Sequence, residues 1–217
     1  SDHVQRYRGS GDKRPVRTVT EEEIRGTVNR LMVAGINSIT SYYSFADLDD
    51  AALRRLNEWV GRVAGMLRGG HQVADIAVLH PVNSLWSRYV PARHLSGSAP
   101  GCMQREHLFN AATDLLYAHQ RDFTVIDATA LENSKAGDGE LAHGQLRWRC
   151  LVLPGADTLP SPAWKTIKRF LNSGGVVIAL GAAPANTAQS FPARDVQAWG
   201  ESAFGADHTM PVVRSFR

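Results

Sequence analysis

Two clusters of aromatic and polar side chains stand where apolar runs stop. Ser41-Tyr42-Tyr43-Ser44 closes one such run. Asn83-Ser84-Leu85-Trp86 follows another, which ends at His80-Pro81. Hydroxyl, amide and aromatic groups at the carboxyl ends of strands line small-molecule sites in α/β proteins. Aromatic rings stack on the apolar face of a sugar, and amides and hydroxyls exchange hydrogen bonds with its hydroxyl groups. Tyr42, Tyr43, Asn83 and Trp86 are therefore the candidate substrate-binding residues. The plainer alternative for the tyrosine pair is packing against the next helix.

Other reactive groups are less well supported. His80 and His119 could act as general bases, but spacing assigns neither a partner carboxylate, so each reads as a satisfied or half-exposed histidine. Asp47, Asp49 and Asp50 could form a metal or catalytic cluster, yet carboxylates at a helix start are explained by the helix dipole. Two cysteines, Cys102 and Cys150, make no disulfide framework. CxxC and HExxH are absent, so no metal is assigned. The turn His80-Pro81-Val82-Asn83-Ser84 lacks the glycines a dinucleotide requires, and GxxxxGK[ST] is absent, so no cofactor is expected. GxSxG is also absent. The turn within Val176–Ala183, VVIALGAA, carries neither Cys nor Ser. No catalytic residue is assigned.

The elements that must position these groups alternate between helix and strand. Ser1–Arg17 reads as loop. Thr20-x-x-Glu23 is a capping-box pattern opening a helix through Ile24, Val28, Leu31 and Met32, closed by Gly35. Ile36–Ser44 reads as a strand, and Asp47–Leu67 as a helix with an apolar stripe through Leu53, Leu56, Val60, Val63 and Leu67. Gly69-Gly70 is the expected domain boundary, dividing the chain into residues 1–70 and 71–217. Beyond it the strand Asp75–His80 leads into a long loop, Trp86–Gly101. A helix follows over Arg105–Gln120, then a strand Thr124–Ile126 ending at Asp127, which reads as a helix or turn cap. Leu131–Leu146 reads as a surface hairpin or loop, Trp148–Leu153 as a strand, and Ser161–Asn172 as a helix capped by Ser161. Val176–Leu180 is a strand, Ala193–Phe204 a helix, and the rest irregular. This order predicts right-handed parallel connections and an α/β domain of flavodoxin-like or Rossmann-like class.

With 217 residues, 43% hydrophobic and 21% charged, the composition is that of an ordinary globular protein. No apolar run approaches the roughly 20 residues needed to cross a bilayer. The first ten residues are polar and show no signal peptide; the compartment stays open. The chain starts at Ser1, which suggests a processed, tag-derived or fragment start. The net charge of +3 gathers at Arg6, Arg8, Lys13, Arg14 and Arg17. That arm reads as a solvated segment rather than a nucleic-acid-binding one.

A resemblance follows from the order of the segments. Gly35–Ser44 resembles the last strand of a glycoside hydrolase (β/α)8 barrel. Val73–Trp86, Phe123–Leu131 (FTVIDATAL), Arg147–Leu159 (RWRCLVLPGADTL) and Phe170–Gly181 (FLNSGGVVIALG) resemble the domain that follows such a barrel. The enzymes in question are bacterial hydrolases similar to α-L-rhamnosidases and to β-galactosidases with a trimerisation domain. That domain is similar to a class I glutamine amidotransferase without its nucleophile. The resemblance implies a terminal βα unit of a barrel followed by a flavodoxin-like sheet. It also implies a carbohydrate substrate, and either a homo-oligomer or the remainder of a parent chain as partner. A glycosidase needs two carboxyls roughly 5–9 Å apart, and in such barrels these lie on earlier strands. No such pair can be placed here. The leading expectation is thus a glycoside hydrolase region that is not catalytic alone. The alternatives are a non-enzymatic flavodoxin-like oligomerisation domain and a small-molecule or nucleic-acid binder using the basic arm.

Overall fold

The computed structural model describes residues 20–40, 48–91 and 99–205, and the backbone of 212–215. Tyr42, Tyr43, Asp47 and the basic arm lie outside the described residues. The chain divides into two compact units, Ser1–Gly70 and His71–Arg217.

The first unit is a helix pair, α1 (Glu21–Val33) and α2 (Asp50–Leu67). The capping box is present: the Thr20 hydroxyl accepts from Glu23 N at 3.3 Å, and the Glu23 carboxylate accepts from Thr20 N at 3.1 Å. Ile24, Val28 and Met32 pack with Leu56 of α2, and Trp59 and Val60 lie against them. Asp49 is the N-cap of α2, accepting from Ala52 N at 2.6 Å, so the helix begins later than its acidic run suggests. Asp49 is thereby assigned to capping. Glu21 pairs with Arg25 within α1 and joins the two helices through Arg55 of α2, and the two guanidinium groups hold its carboxyl below the ordinary value. The strand expected over Ile36–Ser44 is not formed at residues 36–40. A lone strand leaves its backbone N–H and C=O groups unpaired on both edges, and this helix pair offers no sheet to receive it.

The second unit is a mixed α/β domain. Its elements run β1 (Ile76–Leu79), α3 (Val82–Trp86), α4 (Pro100–Ala118), β2 (Phe123–Ile126), α5 (Ala128–Glu132), β3 (Lys135–Gly137), β4 (Glu140–His143), β5 (Leu146–Trp148), β6 (Cys150–Pro154), α6 (Ser161–Asn172), β7 (Val176–Leu180), α7 (Arg194–Phe204) and β8 (Val212–Ser215). Four strands form a parallel sheet flanked by helices, in the order β2-β1-β6-β7, and β8 adds to β7 antiparallel. β1 and β6 occupy the centre. Ala77, Leu79, Leu151 and Leu153 are fully buried with Trp164, Ile167 and Phe170 of α6. Continuous apolar strands are what a sheet covered on both faces requires.

Several boundaries differ from expectation. The polar turn after β1 is a short helix, α3, packed on α4. α4 starts at Pro100, with proline at N1 where its missing N–H costs nothing. The Leu131–Leu146 segment is largely a hairpin: Asp138 and Gly139, at φ 52° and 72°, form a two-residue turn between β3 and β4. Trp148 belongs to β5, paired with Leu141, and not to the parallel strand beside it. Ser161 does not cap α6. Pro160 holds that position, with no side-chain hydrogen bond. Asp127 does cap α5, accepting from Ala130 N at 2.8 Å. The tail, expected to be irregular, supplies β8, because the open edge of β7 offers it a ladder.

Candidate functional site

Between β1 and β6 the connections diverge, one toward β2 and the other toward β7. In open α/β sheets ligands bind in the crevice outside the carboxyl ends of two such strands. Here the crevice is filled by α3 from one side and by residues 155–159 from the other, and Ser84 joins them. Its buried hydroxyl accepts from Asp157 N at 3.2 Å and from Thr158 N at 3.0 Å, and donates to Thr158 O at 3.2 Å. One small side chain thus satisfies three backbone groups that would otherwise be buried without partners.

Asp157 is the electrostatic centre of this joint. Its Oδ2 accepts from Arg88 and, at 2.7 Å, from Arg105; its Oδ1 accepts from the Thr158 hydroxyl at 2.9 Å. The three charged side chains are 11–22% exposed. Burial lowers the Arg88 pKa, opposed by the nearby Asp157 carboxylate. Gly155 allows the close approach: at φ +64° it carries no side chain, and a Cβ there would lie 2.8 Å from Arg105 Cγ. Thr158 also accepts from Asn186 Nδ2 at 3.1 Å, and the Trp164 indole donates to Asn186 O at 2.8 Å. The loop after β7 is thereby tied to the loop after β6.

A cleft of ≈ 310 Å³ opens beside this joint. Asn83 and Trp86 line it from α3, facing Thr187, Gln189 and Phe191 of the loop after β7. Trp86 is 74% exposed and Phe191 62%. The Thr187 hydroxyl accepts from Gln189 N and Ser190 N, shaping the opposite wall. Arg88 lies over the Phe191 ring, its guanidinium carbon 5.7 Å from the centroid. The same arginine that meets Asp157 therefore steadies an aromatic wall of the cleft. Exposed rings bordered by amides and hydroxyls suit a neutral, polyhydroxylated ligand.

Of the four residues predicted to bind substrate, Asn83 and Trp86 come together at this cleft; Tyr42 and Tyr43 lie outside the described residues. Sequence reasoning missed Phe191, Thr187 and the Arg88–Asp157–Arg105 cluster. A usable signal for Asp157 was its place two residues beyond the glycine that ends a strand.

The groups tested for catalysis have other surroundings. Cys150 sits at the amino end of β6, away from the crevice, and burial pushes its thiol up to about 11. The Cys102 thiol donates to Leu85 O at 3.4 Å. Gly181, in the turn after β7, has φ +69°, and a Cβ there would lie 2.6 Å from Leu108 Cδ1, so a side chain at that residue would strain the backbone and displace Leu108. His80 meets the Phe109 ring edge-on at 4.8 Å, and His119 ends α4. Among the described residues no three His, Cys, Asp or Glu side chains stand together in a metal-binding group, and no helix is long and apolar enough to cross a membrane. No known protein family, curated protein or solved structure matches the chain.

Proposed function

We propose that this chain is an accessory region of a glycoside hydrolase, and that the Trp86–Phe191 cleft forms the edge of its carbohydrate site. The observation that carries this reading is the pair of exposed rings across a cleft lined by Asn83, Thr187 and Gln189. The parallel sheet with order β2-β1-β6-β7 supports a flavodoxin-like, class I amidotransferase-like domain. In this reading the catalytic carboxylates come from outside the chain, the first unit is a terminal barrel segment, and the cleft holds a sugar without cleaving it. Substrate and remaining parent chain are the partners.

The test is titration of the chain with rhamnose and galactose, followed by tryptophan fluorescence. Saturable quenching is expected at millimolar sugar. Trp86→Ala is expected to abolish it, and Phe191→Ala to weaken it several-fold. Quenching that survives Trp86→Ala would remove the cleft from the reading. Hydrolysis of nitrophenyl glycosides by this chain alone would overturn the assignment of catalysis to residues outside it.

A second reading, a non-enzymatic oligomerisation domain, is favoured by a different observation. Tyr117 and Val125 are exposed at the edge strand β2, with the Tyr117 and Phe123 rings 6.3 Å apart. Exposed apolar groups gathered at a sheet edge suit association with another copy. Light scattering distinguishes the readings: a monomer at all concentrations would exclude the second.

A further inference from the structure

The two helices of the first unit run side by side in the same direction. Glu21 of α1 pairs with Arg55 of α2 at 3.1 Å. One turn further along both helices, Arg25 lies over the Trp59 ring, its guanidinium carbon 5.0 Å from the centroid. The step is four residues on each helix, so the helices advance together. Helices joined by a short loop are antiparallel. A parallel pair needs a connection that runs back the length of a helix, about 20 Å for the 13 residues of α1. In α/β proteins that return is a strand, held in a parallel sheet with helices against its face.

The described part of this return has the side chains of such a strand and none of its partners. Residues 33–40 are all exposed. Ile36 N donates to Leu31 O at 3.0 Å, closing the helix end, and Asn37–Thr40 have no backbone hydrogen bond among the described residues. Ile36 and Ile39 are 41% and 36% exposed. Val33 and Leu67, at the carboxyl ends of the two helices, are exposed as well. A second copy of this chain would bring one more unpaired segment, and two strands alone leave two open edges. A sheet already formed closes the ladder. We propose that residues 36–40 pair as a strand with a parallel β-sheet supplied by the rest of the parent polypeptide. The helix pair then covers one face of that sheet, and Ile36 and Ile39 lose their exposure. This inference rests on the reading of the chain as part of a longer hydrolase, and is independent of the sugar cleft.

Hydrogen exchange read by mass spectrometry compares this chain with the full-length gene product. In the chain alone, the amides of Asn37–Thr40 are expected to exchange at the rate of an unstructured peptide. In the full-length product they are expected to exchange about 100-fold more slowly, as paired strands do. Ile39→Pro removes a ladder N–H whichever way the side chain points. It is expected to leave the melting temperature of the chain alone unchanged and to lower that of the full-length product. If that full-length variant does not fold, the wild-type comparison carries the test. Protection already present in the chain alone would place the partner within it. Protection that appears only as the chain is concentrated would make the partner a second copy. Either result, free exchange in the full-length product, or a reading frame that encodes no further strands would overturn the proposal. No sugar enters the measurement, so a failure of the Trp86 cleft to bind carbohydrate is scored separately.

Discussion

Replacing Asp157 with alanine should be among the most damaging single changes in the second unit. The carboxylate is the only counter-charge contacting both Arg88 and Arg105 in the described structure, and its side chain and that of Arg105 are each 11% exposed. Removing it leaves two guanidinium groups side by side, largely shielded from water, and orphans the hydrogen bond from the Thr158 hydroxyl. Breaking a buried ion pair from one side costs about 3–5 kcal/mol, a large share of the roughly 5–15 kcal/mol that holds a domain folded. For a domain of this size the melting temperature should fall by about 6–20 °C. Urea unfolding followed by far-ultraviolet circular dichroism measures the loss directly. The double variant Asp157→Ala/Arg105→Met should recover part of it, since the second change removes one stranded charge. A loss below about 1 kcal/mol, typical of exposed pairs, would refute the reasoning, as would a double variant as unstable as the sum of its parts.

Three further outcomes follow from the same geometry. Ser84→Ala should cost about 1–3 kcal/mol for each backbone N–H it orphans, measurable by urea unfolding, with faster hydrogen exchange at Asp157 and Thr158. Cys150 should react with iodoacetamide at pH 8 about 100-fold more slowly in the folded chain than in urea, because its thiol is pushed up to about 11. The sign for stability follows: the fold favours the neutral thiol, so that contribution is complete below the unfolded-state pKa and is lost as pH rises toward 11. Gly200→Ala should destabilise by about 1–3 kcal/mol, since its Cβ would fall on the Pro184 carbonyl oxygen; thermal melting monitors it.

What the sequence determined by itself was whatever acts over a few residues. The Thr20–Glu23 box, the Asp127 cap and the apolar runs of β1, β6 and β7 each follow from neighbours one to four positions away, where capping and periodicity operate. Asn83 and Trp86 could be placed on one side of the crevice for the same reason: both follow β1 within a single short turn of chain. The tertiary structure decided what faces them. Phe191 reaches the cleft only because the loop after β7 is tied to Thr158, and Asp157 meets Arg88 and Arg105 across sequence separations of 69 and 52 residues. Trp148 could not be assigned to β5 by its pattern, since WRCLVL reads as a single strand and only the antiparallel partner Leu141 separates its first residue from the strand that follows. Likewise, residues 36–40 have strand-forming side chains but no partner edge among the described residues, whereas the short Val212–Ser215 segment has one in β7. Strand formation depends on the partner edge, and only the fold decides which edges are open.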